Sequence, residues 1–267
     1  MPQPIITLTT DFGLNDHFVG AMKGVILETA PDAQIVDISH AVQPFDILDG
    51  ALTISQAYSY FPSGTVHVVI VDPGVGTARR PIVLTGDRHL FVAPDNGVLS
   101  LVYAREQRMA VRHITADHYF LQPRSNTFHG RDIFSPVAAS LAKGVDVNRL
   151  GDEITDYVRF AAPRPKPVDE RTLRGVVLKV DRFGNLITNI TPQDIPKLFE
   201  ATVPAFRIAI GKGQVTRMCS NYAEGGPGEA FGILGSMGFV EIATNRGSAF
   251  QLLGAGKGTD VNLVLEG

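Results

Sequence analysis

Asp72, Arg79 and His129 stand out as residues whose types and positions suit catalysis. Asp72 directly follows the run 65–71, which is almost entirely apolar and β-branched, and such a run is typical of a strand buried on both faces. Arg79 follows seven residues later, beyond a glycine-containing turn, and is close enough along the chain to fold back and pair with Asp72. His129 lies in a polar turn, and its imidazole can exchange a proton near neutral pH. Taken singly, each is equally well explained by a turn, a helix cap or the protein surface.

Two further segments carry polar groups suited to binding. Asp11 comes directly after the strand-like run 5–9, and its carboxylate could accept the two hydroxyls of a ribose. Asp181 and Asn185 lie in a loop between two strand-like runs, where Asn185 offers an amide and Asp181 could bind an ammonium group. A capping aspartate and an ordinary hairpin turn are the alternative interpretations. Ligands of open α/β sheets bind beyond the carboxyl ends of the strands, which is where Asp11 and Asp72 are expected.

The first part of the chain alternates strand-like and helix-like segments. Strands are predicted over residues 5–9, 34–38, 65–71, 82–85 and 90–92, and helices over 22–29, 46–61, 97–106 and 132–143. Gly86 and Asp87 are typical of a hairpin turn between the last two of these strands. Because strands alternate with helices, we predict an α/β N-terminal domain with a mostly parallel central sheet, spanning residues 1–161.

The pattern changes after a proline-rich stretch. Prolines at alternate positions in residues 162–168 favour an extended linker. Short strands separated by glycine-rich turns follow, predicted over 173–180, 186–190, 206–210, 230–234, 239–243 and 261–265. This pattern indicates an all-β domain, either a small barrel or a sandwich. We predict that this C-terminal all-β domain spans residues 169–267.

Composition argues against several classes of function. The chain of 267 residues carries 24 basic and 27 acidic residues, so the basic surplus of a nucleic-acid-binding protein is missing. No apolar run approaches the roughly 20 residues that cross a bilayer, and the N-terminus lacks the pattern of a leader. We therefore expect a cytoplasmic protein with neither nucleic acid nor membrane as partner. One cysteine, Cys219, excludes an internal disulfide and a zinc–thiolate cluster.

A metal site is a further alternative. Asp11, His40, Asp72 and His129 are of ligand type, but no tight pair such as His-x-x-x-His supports them, and we expect no metal. His40 follows a strand and could instead line the same pocket as Asp11. The remaining histidines are assigned to a buried strand, for His67, or to the surface and edges, for His17, His89, His113 and His118.

Five motifs acquire a common meaning when they are taken in order. They are TTDFG at 9–13, VDPGVG at 71–76, APDNG at 93–97, FHGRD at 128–132 and DRFGN at 181–185. In this order the chain resembles the S-adenosyl-L-methionine hydroxide adenosyltransferases, the adenosine-forming hydrolases of S-adenosyl-L-methionine (SAM). The likeness extends to LGS at 234–236 and VEIA at 240–243 and so covers almost the whole chain.

The resemblance implies both an architecture and a reaction. It implies a seven-stranded N-terminal sheet, a C-terminal β-barrel, and a homotrimer whose active sites lie between one subunit's N-terminal domain and its neighbour's C-terminal domain. The implied reaction converts SAM and water into adenosine and L-methionine, without metal or organic cofactor. The implied catalytic residues are Asp72, Arg79 and His129; the implied substrate-binding residues are Asp11, Asp181, Asn185, Ser236 and Glu241. We expect Phe45 and Phe128 to pack against the nucleoside.

Other functions remain as alternatives. The related SAM-dependent fluorinases and chlorinases resemble this chain, but as we interpret the likeness they carry tyrosine where it has Asp72, and serine or another small halide-binding residue where it has Gly130. A carboxylate at position 72 would repel a halide, which favours the hydrolase. A non-catalytic module binding adenosine or SAM and a metal-dependent hydrolase are further alternatives. A SAM methyltransferase is disfavoured, since no glycine-rich loop of the expected form follows the first strand.

Overall fold

The chain folds as two units that divide between Ala162 and Pro163. The structure is a computed structural model, and it describes residues 3–266. The expectation that no leader precedes the first strand concerns residues that include Met1 and Pro2, and these two lie outside the described residues. Within the described range, every helix is too short or too polar to cross a bilayer.

The N-terminal unit is built on a seven-stranded sheet, which confirms the seven strands implied by the resemblance. In chain order the strands are β1 (Ile5–Thr10), β2 (Gln34–Ser39), β3 (Val66–Ile70), β4 (Pro81–Thr85), β5 (Leu90–Pro94), β6 (Ala110–His113) and β7 (Glu153–Ile154). Their order across the sheet is β2-β1-β3-β5-β4-β6-β7. The strands β6 and β7 were not predicted from the sequence.

The prediction of a mostly parallel sheet is wrong for one half of it. Strands β2, β1, β3 and β5 are parallel neighbours, whereas β4 pairs antiparallel with β5 and β6, and β6 pairs antiparallel with β7. The reason is the predicted hairpin at Gly86 and Asp87, since a tight turn can join only antiparallel strands. The sheet is therefore mixed, and its parallel half carries Asp11 and Asp72.

Four α-helices cover the sheet: α1 (Phe18–Thr29), α2 (Ile47–Ala57), α3 (Ser100–Tyr103) and α4 (Ser135–Ala142). Helix α1 begins four residues before its predicted start, and the predicted helix 97–106 forms only the short α3. Asp46 caps α2 by accepting a hydrogen bond from the Asp49 amide at 3.1 Å, as the short polar side chains preferred at this position do. The predicted helix 132–143 is divided, because Gly130–Phe134 form a π-helical turn before α4 begins.

Strand β3 is buried on both faces, as its apolar run predicts. Val68 and Ile70 pack in one apolar cluster with residues of α1 and α4. Val69 and the following Val71 pack in a second cluster with residues of α2 and α3. Burial on both sides holds β3 rigidly, so the backbone that leads into Asp72 is fixed from two directions.

His67 lies on β3, fully buried, as its assignment to a buried strand predicts. Its Nδ1 is 2.7 Å from Thr7 Oγ1, and its ring stacks on Phe91 at 5.0 Å. His89 is also buried, 5.2 Å from His67 between ring centroids, so its assignment to the surface is wrong. Burial, with a smaller contribution from His89, lowers the pKa of His67 from 6.5 to about 3.

This depressed pKa predicts an acid sensitivity. Between about pH 6.5 and pH 3 the unfolded chain protonates at His67 and the folded chain does not, so the free energy of unfolding falls as pH falls, by at most about 1.4 kcal/mol per pH unit. We expect His67→Asn to flatten this dependence by close to one proton, as measured by urea unfolding between about pH 6 and pH 4. The exposed His17 is the control, and His17→Asn should leave the slope unchanged.

The C-terminal unit is one open sheet that packs around a large apolar cluster and a smaller one formed by Cys219, Phe231, Ile233 and Ala243. Its strands are β8 (Lys166–Pro167), β9 (Thr172–Val180), β10 (Leu186–Thr188), β11 (Phe206–Ile210), β12 (Gly213–Val215), β13 (Met218–Cys219), β14 (Ala230–Leu234), β15 (Val240–Thr244) and β16 (Asp260–Leu265). The order is β12-β11-β16-β9-β10-β15-β14-β13, with β8 beside β9. Two residues of the proline-rich stretch thus belong to this sheet.

The predicted all-β barrel is a curled half-barrel that stays open. Within the described residues, the end strands β12 and β13 are not paired with each other. A closed barrel needs a continuous hydrogen-bonded ladder between its first and last strands. With three and two residues, β12 and β13 are too short to provide one. Among its described residues the unit also has one α-helix, α5 (Ala249–Leu253), whose capping Ser248 accepts a hydrogen bond from the Gln251 amide at 3.2 Å.

Candidate active site

Asp72, Arg79 and His129 form one connected group in the N-terminal unit. Arg79 Nε donates to Asp72 Oδ1 and Oδ2, at 3.0 Å each, and Arg79 Nη2 lies 2.5 Å from Asp72 Oδ2. The same Nη2 donates to His129 Nδ1 at 2.8 Å. Arg79 therefore connects a carboxylate to an imidazole that is 50 residues away in the chain from the arginine itself.

The group is largely removed from water. The side chains of Arg79 and Asp72 are 8% and 5% exposed, and His129 is 7% exposed. The Arg79 guanidinium lies 5.1 Å from the centroid of the Phe134 ring. Burial, followed by the charge of Arg79, lowers the pKa of His129. The imidazole is therefore uncharged at neutral pH and contributes polarity without a second positive charge.

Local structure explains why these three side chains meet. The chain turns sharply after β3, with the Val75 amide donating to the Asp72 carbonyl at 3.2 Å. Gly76 has φ +78°, and a Cβ there would clash with the Asn126 backbone carbonyl. The loop of Asp72 and Arg79 thus lies directly against the loop that leads to His129. His129 immediately precedes the π-helical turn Gly130–Phe134, and such turns are frequent at functional sites.

Asp11 and Phe45 lie together at the carboxyl end of β1. Asp11 Oδ2 accepts a hydrogen bond from the Phe45 amide at 2.8 Å. Partial burial is the largest cause of a raised pKa at Asp11, and the charge of Asp72 adds to it. Phe45 has φ 64° and its side chain is 73% exposed. A left-handed backbone at a phenylalanine is strained, and such strain is concentrated at functional sites.

Phe128 is placed differently from Phe45. It is 7% exposed and packs edge-on against Phe18, with centroids 5.2 Å apart, and against Phe12 at 6.0 Å. Most of its surface is therefore used inside the domain. The aromatic cluster supports the segment that carries His129, and a contact between Phe128 and a nucleoside stays a prediction.

The remaining binding residues predicted from the sequence line one cavity in the C-terminal unit. This cavity has a volume of about 900 Å³. Asp181, Asn185, Ser236 and Glu241 all line it, although they come from three separate parts of the chain. Five other polar residues of its wall were not predicted from the sequence: Lys179, Tyr222, Thr244, Arg246 and Ser248. None of these stands in a conspicuous motif; only the turn-like Asn-Arg-Gly around Arg246 offered a signal.

Asp181 organises the loop that forms one wall of this cavity. Its Oδ1 accepts from the amides of Phe183 and Asn185, at 2.8 Å each, and its Oδ2 accepts from Asn185 Nδ2 at 2.9 Å. Phe183 at the loop tip is 77% exposed. The loop 181–185 is therefore a structural turn, as one interpretation of the sequence predicts. Asp181 also lines the cavity.

Glu241 gives the cavity a second acidic group. It is 5% exposed, and its Oε2 lies 3.4 Å from the Tyr222 hydroxyl, which donates to it. Burial raises the pKa of Glu241, and the negative charge of Asp181 raises it further. Arg246, on the same wall, has φ 53°. A cavity with two nearby carboxylates and an arginine suits a ligand that carries both an ammonium and a carboxylate group.

Two other features from the sequence have structural roles. Asp95 accepts a hydrogen bond from Arg80 Nη2 at 2.7 Å, and Asn96 Nδ2 donates one to the Val71 carbonyl at 2.8 Å. The APDNG motif therefore stabilises the end of β3.

His40 is buried, with its Nδ1 2.8 Å from Thr10 Oγ1 and its Nε2 3.1 Å from Asp37. Across residues 3–266, no three histidine, cysteine or acidic side chains are grouped so as to hold a metal ion.

Comparison with known proteins identifies the family. Residues 6–151 match the model of the SAM hydroxide adenosyltransferase N-terminal domain, and residues 175–262 match that of the C-terminal domain. An (R)-S-adenosyl-L-methionine hydrolase of Thermus thermophilus is 37% identical over 271 residues, covering 98% of this chain and 100% of the relative. A fluorinase of an Actinoplanes species is 31% identical over 220 residues, and the match covers 73% of this chain and 74% of the fluorinase.

A solved structure agrees with this assignment. That of a Thermotoga maritima protein described as uncharacterized and conserved superposes with a TM-score of 0.89 at 37% identity, covering 97% of this chain and 99% of the other. Both family models, which together span most of the sequence, match in the order of the two folded units. The chain therefore belongs to the SAM hydroxide adenosyltransferase family.

Proposed function

We propose that this protein hydrolyses SAM to adenosine and L-methionine by attack of water on C5′ of the ribose. The observation that carries the proposal is the buried Asp72–Arg79–His129 group, in which a carboxylate and an imidazole are joined through one guanidinium. Such a group can polarise water and accept its proton. The hydrolase names of relatives at 37% identity over nearly the full chain support the same reaction.

The reaction needs little beyond an oriented nucleophile. The water oxygen forms a bond to C5′ while the bond from C5′ to the sulfonium sulfur breaks. The electron pair of the breaking bond stays on the sulfur, which becomes the neutral thioether of methionine. The proton of the water is released through the Asp72–His129 group to solvent. Arg79 holds Asp72 by two of its nitrogens and steadies the developing hydroxide. General-base assistance contributes about 10²- to 10⁴-fold, and positioning can add to it.

We assign the nucleoside to Asp11 and Phe45. Asp11 keeps an acceptor oxygen beyond the one that bonds the Phe45 amide, and its partly buried carboxylate can accept both ribose hydroxyls. The exposed ring of Phe45 is available to pack against the ribose or the base. We assign the methionine ammonium to Asp181 and Glu241, with Ser236 and Asn185 supplying further polar contacts.

We further propose a homotrimer in which each active site combines residues of two subunits. Phe45 in the N-terminal unit and Phe183 in the C-terminal unit are each more than 70% exposed beside their candidate sites. Aromatic side chains are enriched at interfaces between protein subunits, so these two rings suit contact with a neighbouring subunit. Size-exclusion chromatography with light scattering tests the assembly, and a monomer that retains full activity would contradict it.

A direct assay tests the hydrolysis. The purified protein is incubated with SAM, and adenosine and free methionine are separated by chromatography. Equimolar formation of both products is expected. If neither forms while the protein is folded, the proposal is wrong; calorimetric binding without turnover would then indicate a binding module. Activity that is lost with a chelator and restored by a metal would instead indicate a metal-dependent hydrolase.

Halogenation is the second candidate, because fluorinases are among the relatives. The surroundings of Gly130 disfavour it. A Cβ at Gly130 would lie 3.2–3.4 Å from Phe128, Met22 and Ile70, all apolar atoms that donate no hydrogen bond to a halide. The Asp72 carboxylate would also repel the anion. Adding fluoride or chloride to the assay distinguishes the reactions, since only a halogenase forms a 5′-halo-nucleoside.

Glu241→Gln is expected to weaken substrate binding more than turnover. The change removes one of two negative charges proposed to hold the ammonium group, so we expect KM for SAM to rise about 10-fold, equivalent to roughly 1.4 kcal/mol, with a much smaller change in kcat. Initial rates over a range of SAM concentrations measure both constants. Glu229→Gln is the matched control, because the Glu229 side chain is 47% exposed. An unchanged KM in Glu241→Gln would contradict the assignment.

A further inference from the structure

His40 lies where two loops meet at the carboxyl ends of β1 and β2. It directly follows β2, which pairs with β1, and it begins the connection that leads to α2. The loop that leaves β1 carries Asp11, and the connection after β2 carries Phe45. His40 is 6% exposed, and its side chain is 3% exposed. Polar groups buried this deeply are hydrogen-bonded as a rule, so the partners of the ring show what it holds in place.

Both the backbone and the ring of His40 contact the loop that carries Asp11. The His40 carbonyl accepts a hydrogen bond from the Gly13 amide at 2.8 Å. The ring Nδ1 lies 2.8 Å from Thr10 Oγ1, and the same hydroxyl accepts a hydrogen bond from the Phe12 amide at 3.2 Å. These contacts fall on both sides of Asp11 in the chain. The backbone that carries its carboxylate is therefore attached to His40 before and after that residue.

The connection after β2 is fixed along its length as well. The Gln43 amide donates to Asp49 Oδ2, within α2, at 2.8 Å. Two residues later in the chain, the Phe45 amide donates to Asp11 Oδ2 at 2.8 Å. The position of the Asp11 carboxylate relative to the Phe45 ring thus depends on how His40 joins the two loops.

An ion pair orients the ring of His40 from its other side. Nε2 lies 3.1 Å from Asp37 Oδ1, and Lys23 Nζ donates to Asp37 Oδ2 at 2.6 Å. Partial burial raises the pKa of Asp37, but the hydrogen bonds from Lys23 and His40 outweigh it, so the net direction is down. An ionised carboxylate only accepts hydrogen bonds, so Nε2 carries a proton. With Nε2 directed at Asp37, the ring is held in the orientation that directs Nδ1 at Thr10.

We infer that His40 is a positioning residue for the nucleoside: through its hydrogen bond to Thr10, it holds the Asp11 carboxylate where the ribose hydroxyls can reach it. The inference rests on the proposed function, in which Asp11 and Phe45 bind the nucleoside. His40 acts through Asp11, since its own side chain is almost fully buried. Its loss should therefore weaken the binding of adenosine and spare that of methionine, whose proposed contacts lie in the C-terminal unit.

Titration calorimetry of the full-length protein with adenosine and with L-methionine tests this without turnover. Phenylalanine keeps a ring at position 40 but cannot hydrogen-bond to Thr10, whereas asparagine can place an amide near the position of Nδ1. We expect His40→Phe to raise the Kd for adenosine about 10-fold, as the loss of one hydrogen bond can, and His40→Asn to raise it by less than about 3-fold. The Kd for methionine should not change. The exposed His118 provides the control, and His118→Phe should leave both constants unchanged.

Thr10→Val removes the same hydrogen bond from its other partner, and it keeps the test decisive if His40→Phe does not fold. We expect Thr10→Val to weaken adenosine binding as much as His40→Phe does. The double variant should lose no more, because both changes remove one interaction. In steady-state kinetics with SAM, KM should rise by the same factor and kcat should change less. A purely structural role would instead lower the folded fraction, and with it kcat, at an unchanged Kd.

The outcomes separate this inference from the proposed hydrolysis. A folded His40→Phe or Thr10→Val that binds adenosine as the native protein does overturns the inference, with thermal unfolding establishing that the variant is folded. Equal losses in His40→Phe and His40→Asn, or an equal loss of methionine affinity, also overturn it. If the native protein binds adenosine but forms none from SAM, the hydrolysis alone fails, and weaker adenosine binding by His40→Phe still supports the inference. A native protein that binds no adenosine overturns the nucleoside assignment and the role of His40 together.

Discussion

Asp72→Asn is expected to lower kcat by about 10²- to 10⁴-fold while leaving SAM binding largely intact. Asparagine retains the shape of aspartate and can still accept a hydrogen bond from Arg79, but its amide cannot take a proton from water. The loss should therefore fall on the chemical step. Initial-rate kinetics measure kcat, and calorimetry with the inactive variant measures binding of SAM.

The same substitution should also lower the free energy of unfolding. The Arg79 and Asp72 side chains are 8% and 5% exposed, and removing one partner of a buried ion pair typically costs about 3–5 kcal/mol. Asp156→Asn is the matched control: Asp156 pairs with Arg80 at 2.8 Å, but its side chain is 76% exposed. We expect that control to change neither stability nor rate appreciably. A folded Asp72→Asn with a near-native rate would remove Asp72 from the mechanism.

Gly76→Ala is expected to damage both stability and activity, although Gly76 has no functional group. Its φ of +78° costs an alanine about 1–2 kcal/mol, and the added Cβ would clash with the Asn126 backbone carbonyl. The loop of Asp72 and Arg79 must then move relative to the loop of His129. A displacement near 1 Å can cost about 10²-fold in rate. We expect kcat to fall at least about 10-fold and the free energy of unfolding to fall by about 2 kcal/mol.

Gly74→Ala is the control within the same turn. A Cβ at Gly74 would lie 3.5 Å from Thr77 Oγ1 and 3.6 Å from Arg79 Cγ, which are ordinary contact distances. We expect it to fold and turn over SAM like the native protein. Chemical denaturation and steady-state kinetics on both variants make the comparison. Equal effects at the two positions would mean that the contact between the two loops does not matter.

Local sequence patterns were sufficient for most of the secondary structure. The apolar run before Asp72 is buried on both faces, and the turn at Gly86 joins two strands as predicted. Residues 206–210 and 230–234 form strands with the predicted bounds. These features depend on side-chain periodicity and turn chemistry, which act over a few residues and can be recognised without the tertiary structure.

The sequence determined by itself that Asp72 follows a buried strand, that Arg79 lies within reach of it, and that the motifs are those of one family. Only the tertiary structure decided that Arg79 also binds His129, that β6 and β7 extend the sheet as antiparallel strands, and that the C-terminal sheet stays open. Likewise, Tyr222 and Arg246 join the cavity of Asp181 only after folding. The physical reason is that these features depend on contacts between distant segments, and such contacts are set by the packing of the whole domain rather than by local periodicity.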